Sequence, residues 1–308
     1  MKLAAIDIGS HSMKIVVVEA AANGSFNVLA SERKIVRLGQ ETLVNKHISR
    51  EATQRAIDCL RSFRSLADSH GAEQIFAIAT AFLREAANSS EFIRVVEEET
   101  GIRVEVVSGL EEARLVGLAA SFGCAEKGVA TLNIDIGGGS TEISIFRAGE
   151  PLKLVSIDLG AVRLTDRLIR SDPPAASELD AMRSDIRASL QPHMEEFLAH
   201  GWSSTTATSG TATTIGAAIN HVGPRDSSTV TLDQLKQLNK KLAAMTIAER
   251  RAVPGIPPQR ADVIVSGGMI LEEVMTALGI KSLLTCDWCL REGAIIDRLR
   301  HSERSSRN

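Results

Sequence analysis

Short β-branched runs closed by Gly and Ser alternate along this chain with longer stretches whose apolar residues recur at helical spacing. In the first part strands are predicted over residues 3–8, 14–20, 27–36 and 74–80, with helices over 51–69 and 90–100. A short run at 104–107 ends in Ser108-Gly109, which opens an amphipathic helix at about 111–122. Further on, strands at 128–135, 142–147 and 153–159 precede helices near 162–169, 178–200 and 232–245. Pro173-Pro174, Pro224 and Pro254-Gly255-Ile256-Pro257-Pro258 mark surface loops, and the polar stretch 301–308 is predicted to lack fixed structure. Strands interleaved with helices make this an α/β chain.

Two segments repeat. Ala5-Ile-Asp-Ile-Gly-Ser-His-Ser-Met-Lys-Ile-Val-Val-Val-Glu-Ala20 aligns without gaps on Asn133-Ile-Asp-Ile-Gly-Gly-Gly-Ser-Thr-Glu-Ile-Ser-Ile-Phe-Arg-Ala148, 128 positions later. Asp7 matches Asp135, Gly9 matches Gly137, Ser12 matches Ser140 and Ile15 matches Ile143. Each copy reads as strand, tight turn, strand. Such a turn leaves backbone N–H groups and hydroxyls that suit phosphate oxygens, and the Asp opening it stands where it can hold a divalent cation. One copy alone reads as well as an ordinary acidic hairpin. Two copies in one register favour paired turns facing each other across a cleft.

The length of 308 residues exceeds the roughly 250–300 that one core usually supports, so two domains are expected. A hydrophobic share of 44% with 24% charged residues places the chain among globular proteins. The net charge of −3 argues against a general nucleic-acid binder, and the absence of Tyr leaves few base-stacking platforms. No apolar run approaches the ~20 residues of a membrane helix, and Asp7 interrupts the place of a secretory apolar region, so a cytoplasmic protein is expected. Four cysteines in so long a chain suggest reduced thiols rather than a disulfide framework.

The turn Asp135-Ile-Gly-Gly-Gly-Ser-Thr-Glu142, preceded by Ser108-Gly-Leu-Glu-Glu-Ala-Arg114 and followed by Leu159-Gly-Ala-Val-Arg-Leu164, resembles the exopolyphosphatase and guanosine pentaphosphate phosphohydrolase (Ppx/GppA) family. So do Ala79-Thr-Ala-Phe-Leu-Arg-Glu-Ala86, Ser209-Gly-Thr-Ala-Thr-Thr214 and Leu290-Arg-Glu-Gly293, the matches running in order from Asp7 to about Asp297. The resemblance implies an α/β fold of two actin-like (ribonuclease H-like) lobes around an interdomain phosphate cleft. The lobes are expected over residues 1–120 and 121–300, with a polar tail at 301–308 and a C-terminal helix at about 290–303 packing back on the first lobe. It further implies hydrolysis of the terminal phosphoanhydride of inorganic polyphosphate, guanosine pentaphosphate as a second substrate, Mg²⁺ or Mn²⁺, and a homodimer. Neither nucleic acid nor membrane is an expected partner.

Hydrolysing a phosphoanhydride needs a water in line with the terminal phosphorus, a carboxylate to orient or deprotonate it, and positive charge on the oxygens. Glu112 matches the family's catalytic base. Neighbouring helical residues point about 100° apart, so Glu111 and Glu112 cannot face one cleft equally. Without the resemblance the pair reads as an acidic first turn complementing the helix dipole. The resemblance makes Asp7, Asp135 and Glu142 metal or water ligands, a hard-oxygen set suited to Mg²⁺ or Mn²⁺ and ill suited to zinc. Glu142 also reads as a solvent-facing strand residue.

Lys14 stands in the first copy where Glu142 stands in the second, so one lobe is expected to bind metal and the other to grip phosphate. Gly9, Ser10, His11, Ser12, Gly137, Gly138, Gly139, Ser140 and Thr141 are the expected phosphate-binding residues of the two turns. Arg84 matches an Arg that the family sets against substrate phosphate; the plainer alternative pairs it with Glu85 or Glu91. Gly210 and Thr211 form a third candidate loop, or a helix start.

At His11 the family most often has Asn. A neutral imidazole donates and a protonated one adds charge, so activity is expected to fall as pH rises through the His11 pKa. Ala81 stands where many members carry Ser. Cys286-Asp-Trp-Cys289 lacks the spacing of a zinc site and reads as buried thiols. Arg33, Lys34, Arg37, Arg163, Arg167 and Arg170 form either a track for a polyanion or solvated faces.

Two other functions compete. One is an ATP-using kinase or ATPase of the same fold, with Ser266-Gly267-Gly268 as an adenosine loop. The other is a non-catalytic sensor of polyphosphate or the alarmone, against which Glu112, Asp135 and Glu142 together argue. Longer relatives add helical C-terminal domains, which implies a weaker grip on long polyphosphate and less processive cleavage here.

Overall fold

The computed structural model describes residues 1–21, 25–40, 42–126, 128–223 and 226–305. The loop expected at Pro224 lies outside these residues, as do the last three of the expected tail.

The first sheet begins with β1 (Lys2–Ile8) and β2 (Ser12–Ala20), an antiparallel hairpin with Ile6 opposite Ile15. Their near-continuous apolar runs are buried on both faces, as suits central strands. The edge strand β3 (Phe26–Ile35) carries the charges and stays partly exposed. After a short turn of helix, α1 (Thr42–Asn45), comes α2 (Arg50–Ser69). Ser49 caps α2 by accepting from the Ala52 N–H, and the stripe Ala56, Ile57, Leu60, Phe63, Ala67 is buried. Removing a fully buried ring such as Phe63 would cost about 3–5 kcal/mol. Strand β4 (Gln74–Ala79), α3 (Ala81–Glu85), α4 (Ser89–Thr100) and β5 (Val104–Val106) complete the lobe, in the sheet order β3-β2-β1-β4-β5.

Helix α5 (Gly109–Gly123) leads to the second sheet. Its strands are β6 (Thr131–Ile136), β7 (Thr141–Arg147), β8 (Glu150–Ile157), β9 (Ser204–Thr208), β10 (Thr229–Thr231) and β11 (Ser282–Thr285). The helices between them are α6 (Ala161–Leu168), α7 (Ala176–His200), α8 (Ser209–Asn220), α9 (Leu232–Ala243), α10 (Ile247–Arg250) and α11 (Ile264–Ala277), with a 3₁₀ turn at Pro258–Arg260. The order β10-β11-β9-β6-β7-β8 repeats the first sheet, read as β8-β7-β6-β9-β11, with β10 added at one edge.

The repetition extends to register. Ile134 faces Ile143 as Ile6 faces Ile15, and each hairpin turn closes with the same bond, Gly9 N–H to Ser12 O at 3.2 Å and Gly137 N–H to Ser140 O at 2.9 Å. The duplicated sequence is thus a duplicated α/β lobe, the two-lobe fold that the resemblance implied. Each lobe has its own apolar core. The last helix, α12 (Leu290–Ser305), returns to the first sheet, where Leu290, Ile295 and Leu299 pack with Leu3, Val16 and Val18 and with Leu115 of α5.

Three expectations need correction. α12 runs to Ser305, so most of the stretch expected to be an irregular tail is helical. Strands β6 and β8 sit three residues later and three residues earlier than predicted, because Gly128 and Pro151 mislead a reading of β-propensity alone. The four thiols are not all free: Cys124 and Cys286 form a disulfide with Cα atoms 6.2 Å apart, while Cys59 and Cys289 are free and buried. Chain spacing could not reveal that the end of α5 lies beside the end of β11. Among the described residues no helix is long and apolar enough to cross a membrane.

Candidate active site

The β1–β2 and β6–β7 turns come from opposite lobes and touch. A Cβ on Gly138 would lie 3.0 Å from the Ser10 Cβ and 3.4 Å from the His11 N, so glycine there permits the approach of one turn to the other. Between them is a cavity of about 60 Å³, room for several waters. Of the residues expected from sequence, Asp7, Gly9, Ser10, His11, Ser12, Glu112, Asp135, Gly137, Gly138, Gly139, Ser140 and Thr211 line it; Lys14, Ser209, Arg260 and Cys289 join them.

Glu112 reaches the cavity because Ser108 caps α5, accepting from the Glu111 N–H at 3.2 Å, and the helix then turns Glu112 inward. Glu111 points away and pairs with Arg114 at 2.7 Å. Arg84 stands behind Glu112: its Nη1 donates to Glu112 Oε2 at 2.6 Å and to the Val107 carbonyl at 3.2 Å, and the alternative pairing with Glu85 or Glu91 is not made. Burial pushes the Glu112 carboxyl up to about 7, against the pull of Arg84, with Asp135 and Asp7 adding repulsion.

Asp135 and Glu142 are directly opposite in the β6–β7 register, and both are buried. Thr208 Oγ1 donates to Asp135 Oδ2 at 2.7 Å, and Ser156 Oγ donates to Glu142 Oε1 at 2.7 Å. The second oxygen of Glu142 has no partner. Burial raises the pKa of Asp135; burial, then repulsion from Glu112 and Asp135, raises that of Glu142 well above the ordinary carboxylate value. In the first lobe the matching pair is Asp7 opposite Lys14, joined by a salt bridge of 3.4 Å.

One cation that sequence reasoning missed, Arg260, joins the cavity lining, and Arg33 of the expected basic set stands beside it. Arg33 is the register neighbour of Lys14, and Arg260 arrives from the 3₁₀ turn; the two guanidinium groups meet over Gly210, which has no side chain to obstruct them. Arg260 is 6% exposed, its Nε has no partner, and burial followed by repulsion from Arg33 pushes its pKa down to about 9, so it stays charged at neutral pH. Buried like charges of this kind favour an anionic ligand. The only available signal was the arginine's position in a Pro-rich turn.

Several expected donors are committed elsewhere. The Thr141 hydroxyl donates to the Leu159 carbonyl, the Thr211 hydroxyl to the Ile136 carbonyl at 3.1 Å, and Gly210 lies under the guanidinium groups. The basic residues do not form one track. Arg37 pairs with Asp262, Arg163 with Glu85, Arg167 with Asp185, Lys34 with Glu32, and Arg170 donates to the carbonyls of Asp166, Arg167 and Ile169.

The expected His11 titration is overturned: burial, then Arg260 and Arg37, push its pKa down to about 3, so the ring is neutral at ordinary pH. Ser266-Gly267-Gly268 is no loop but part of α11, its glycines packed against Thr211 and Asn239, which removes the adenosine-loop feature of the kinase reading.

Among the described residues no three His, Cys, Asp or Glu side chains are grouped as a metal cluster. The donor chemistry nonetheless fits Mg²⁺ or Mn²⁺. These hard cations take one or two carboxylates together with waters and phosphate oxygens, and Glu142 offers a buried oxygen without a partner beside the raised Asp135.

Comparison with known proteins agrees with this architecture. The chain is 33% identical over 304 residues to exopolyphosphatase 1 of Mycobacterium leprae, covering 97% of this chain and 90% of that protein. It matches exopolyphosphatase 1 of Mycobacterium tuberculosis H37Rv at the same identity, covering 88% of that protein. The crystal structure of an exopolyphosphatase from Cytophaga hutchinsonii superposes with a TM-score of 0.91 at 27% identity, covering 98% of both chains. The Aquifex aeolicus member of the Ppx/GppA family superposes with a TM-score of 0.80 at 25% identity, again over 98% of each. With the family's pattern matched across residues 16–302, the chain belongs to the Ppx/GppA phosphatase family.

Proposed function

We propose that the protein is an exopolyphosphatase, hydrolysing the terminal phosphoanhydride of inorganic polyphosphate, with guanosine pentaphosphate as a second substrate and Mg²⁺ or Mn²⁺ as cofactor. The observation that carries this reading is the chemistry of one cavity: the buried carboxylates Asp7, Glu112 and Asp135 line it together with the cations Lys14 and Arg260 and the two Gly/Ser turns.

The terminal phosphate sits between the turns Gly9–Ser12 and Gly137–Ser140, whose N–H groups and serine hydroxyls donate to its oxygens. Lys14, Arg33 and Arg260 receive the negative charge of that phosphate and the next. Glu112, raised to about 7, accepts the proton of the attacking water on a carboxylate oxygen, and Arg84 fixes the orientation of that carboxylate. Asp135 and Glu142, with Asp7 across the cleft, would hold the metal, which supplies charge neutralisation on the phosphate oxygens. Neutral His11 contributes an N–H donor. Orthophosphate and a chain one unit shorter leave. The working lobes are residues 1–120 and 121–300, with α12 returning to the first, and a homodimer is the assembly the resemblance favours.

Phosphate release is measured from polyphosphates of defined length, guanosine pentaphosphate and ATP, each with Mg²⁺, in wild type and Glu112→Gln. Release from polyphosphate is expected, falling by about 10²–10⁴ in the variant. Release from ATP alone supports a kinase-like ATPase, and tight binding without turnover supports a sensor. Equal activity in the variant removes Glu112 from the role of base.

A further inference from the structure

The chain passes between the two sheets at two places, from α5 into β6 and from β11 into α12. Cys124 caps the C-terminus of α5 on the first crossing, its N–H donating to the Ala120 carbonyl at 3.0 Å. Cys286 follows β11 on the second, its N–H donating to the Ala207 carbonyl at 2.9 Å. The disulfide between them therefore joins the two crossings, which are 162 residues apart in sequence.

Each crossing also reaches the cavity. α5 carries Glu112 at its other end, and Cys289 of the β11–α12 connection and Leu290 at the start of α12 line the cavity. Cys289 lies 3.5 Å from the Lys14 ammonium. The cavity lies between turns that come from opposite lobes, and the two crossings are where any motion of one lobe against the other bends the chain.

We propose that Cys124–Cys286 is a redox-operated staple across the interlobe hinge, opened by a dithiol reductant. Cys286 is fully buried while Cys124 is partly exposed, so a reductant meets the bond at Cys124. A reductant thiolate attacks the Cys124 sulfur, the bond to Cys286 breaks, and Cys286 leaves as a thiolate that takes a proton. The second thiolate of the reductant attacks its own sulfur in the mixed disulfide, frees Cys124, and closes the oxidised reductant. Two electrons pass to the protein, and the hinge loses its cross-link. Trp288, stacked on Phe26 at 5.4 Å and covering Gly123, remains as packing between the crossings. The reduced protein is the one whose lobes open freely.

The test is thiol counting joined to stability and rate. Oxidised protein unfolded in N-ethylmaleimide should label at two cysteines, Cys59 and Cys289, and at four after dithiothreitol. Reduction should lower Tm by roughly 5 °C, the scale expected for a cross-link closing a long loop. It should also raise kcat on long polyphosphate by a factor of about 3, the scale of a change in a gating step. Cys124→Ser should show the reduced values in both states, while Cys59→Ala keeps the response. Four labelled cysteines before reduction would overturn the proposal, as would equal Tm and kcat in the two states. Only the kinetic arm rests on the exopolyphosphatase reading: if polyphosphate is not hydrolysed at all, that reading fails while labelling and Tm still decide on the staple.

Discussion

The two hairpins share strands, register and turn, and they differ in the row of side chains beneath the turn. Across β1, β2 and β3 that row is Asp7, Lys14, Arg33; across β6, β7 and β8 it is Asp135, Glu142, Ser156. The first row carries an excess of positive charge and neutralises its own carboxylate through the Asp7–Lys14 bridge. In the second, two carboxylates stand side by side with hydroxyls from Thr208 and Ser156, and both have raised pKa values. On the proposed function, one duplicated backbone has been divided into a half that grips anions and a half that holds a cation. A single register position, Lys14 against Glu142, makes most of the difference.

The largest effects should come from that position. Lys14→Met leaves Asp7 without its partner and removes a cation from the phosphate site, so kcat/KM for polyphosphate should fall by about 10² while the Mg²⁺ concentration for half-maximal rate does not rise. Glu142→Gln should lower activity on a similar scale of about 10² and move the Mg²⁺ requirement upward. Titrating each variant with Mg²⁺ at saturating polyphosphate separates the two roles. If Lys14→Met raises the metal requirement and Glu142→Gln does not, the division of labour between the lobes is wrong.

Much of this comparison was legible before folding. The hairpins were readable because β-branched runs flank Gly/Ser turns; helical geometry lets only one of Glu111 and Glu112 face a cleft, and it was the family resemblance that pointed to Glu112. The meeting of Arg33 with Arg260 was not readable. One is a charged residue on an edge strand, the other sits in a 3₁₀ turn far along the chain, and only lobe closure brings them over Gly210. Strand β9 and helix α8 run through Ser- and Thr-rich sequence, where an apolar period has little to register. The Cys286-Asp-Trp-Cys289 spacing drew attention to the wrong pair, since only the fold brings the C-cap of α5 beside the residue that follows β11.

A smaller effect tests the charge balance of the second row through stability. Glu112 has a folded pKa of about 7 against an ordinary 4.5, so its contribution is fully present below about 4.5 and is lost as pH rises through 7. Asp135 and Glu142 act in the same direction. The carboxylates with lowered pKa, such as Glu85 and Glu178, act only at more acid pH and leave this window alone. Buried His11, held near 3 against an ordinary 6.5, acts in the opposite direction below about 6.5. In EDTA the Tm should therefore fall between pH 6.5 and 8, and Mg²⁺ should restore more of it at pH 8 than at pH 6.5. Glu142→Gln should flatten the fall. A Tm independent of pH in EDTA would mean that these carboxylates are already compensated within the protein, and the contrast with the Asp7–Lys14 row would disappear.

The smallest effect is expected where the two turns differ most visibly, at His11 against Gly139. An imidazole in a phosphate turn invites the idea of a pH switch, but burial, Arg260 and Arg37 hold its pKa near 3, so no proton is exchanged between pH 5 and 9. What His11 offers the first turn is then a neutral N–H, and an Asn side chain supplies an equivalent donor. The pH profile of kcat/KM should accordingly be superimposable for wild type and His11→Asn, both rising through the Glu112 transition at about 7. A profile that loses an inflection in the variant would show that substrate phosphate raises the His11 pKa into the working range, and the anion-gripping turn would then carry a proton as well as a hydrogen-bond donor.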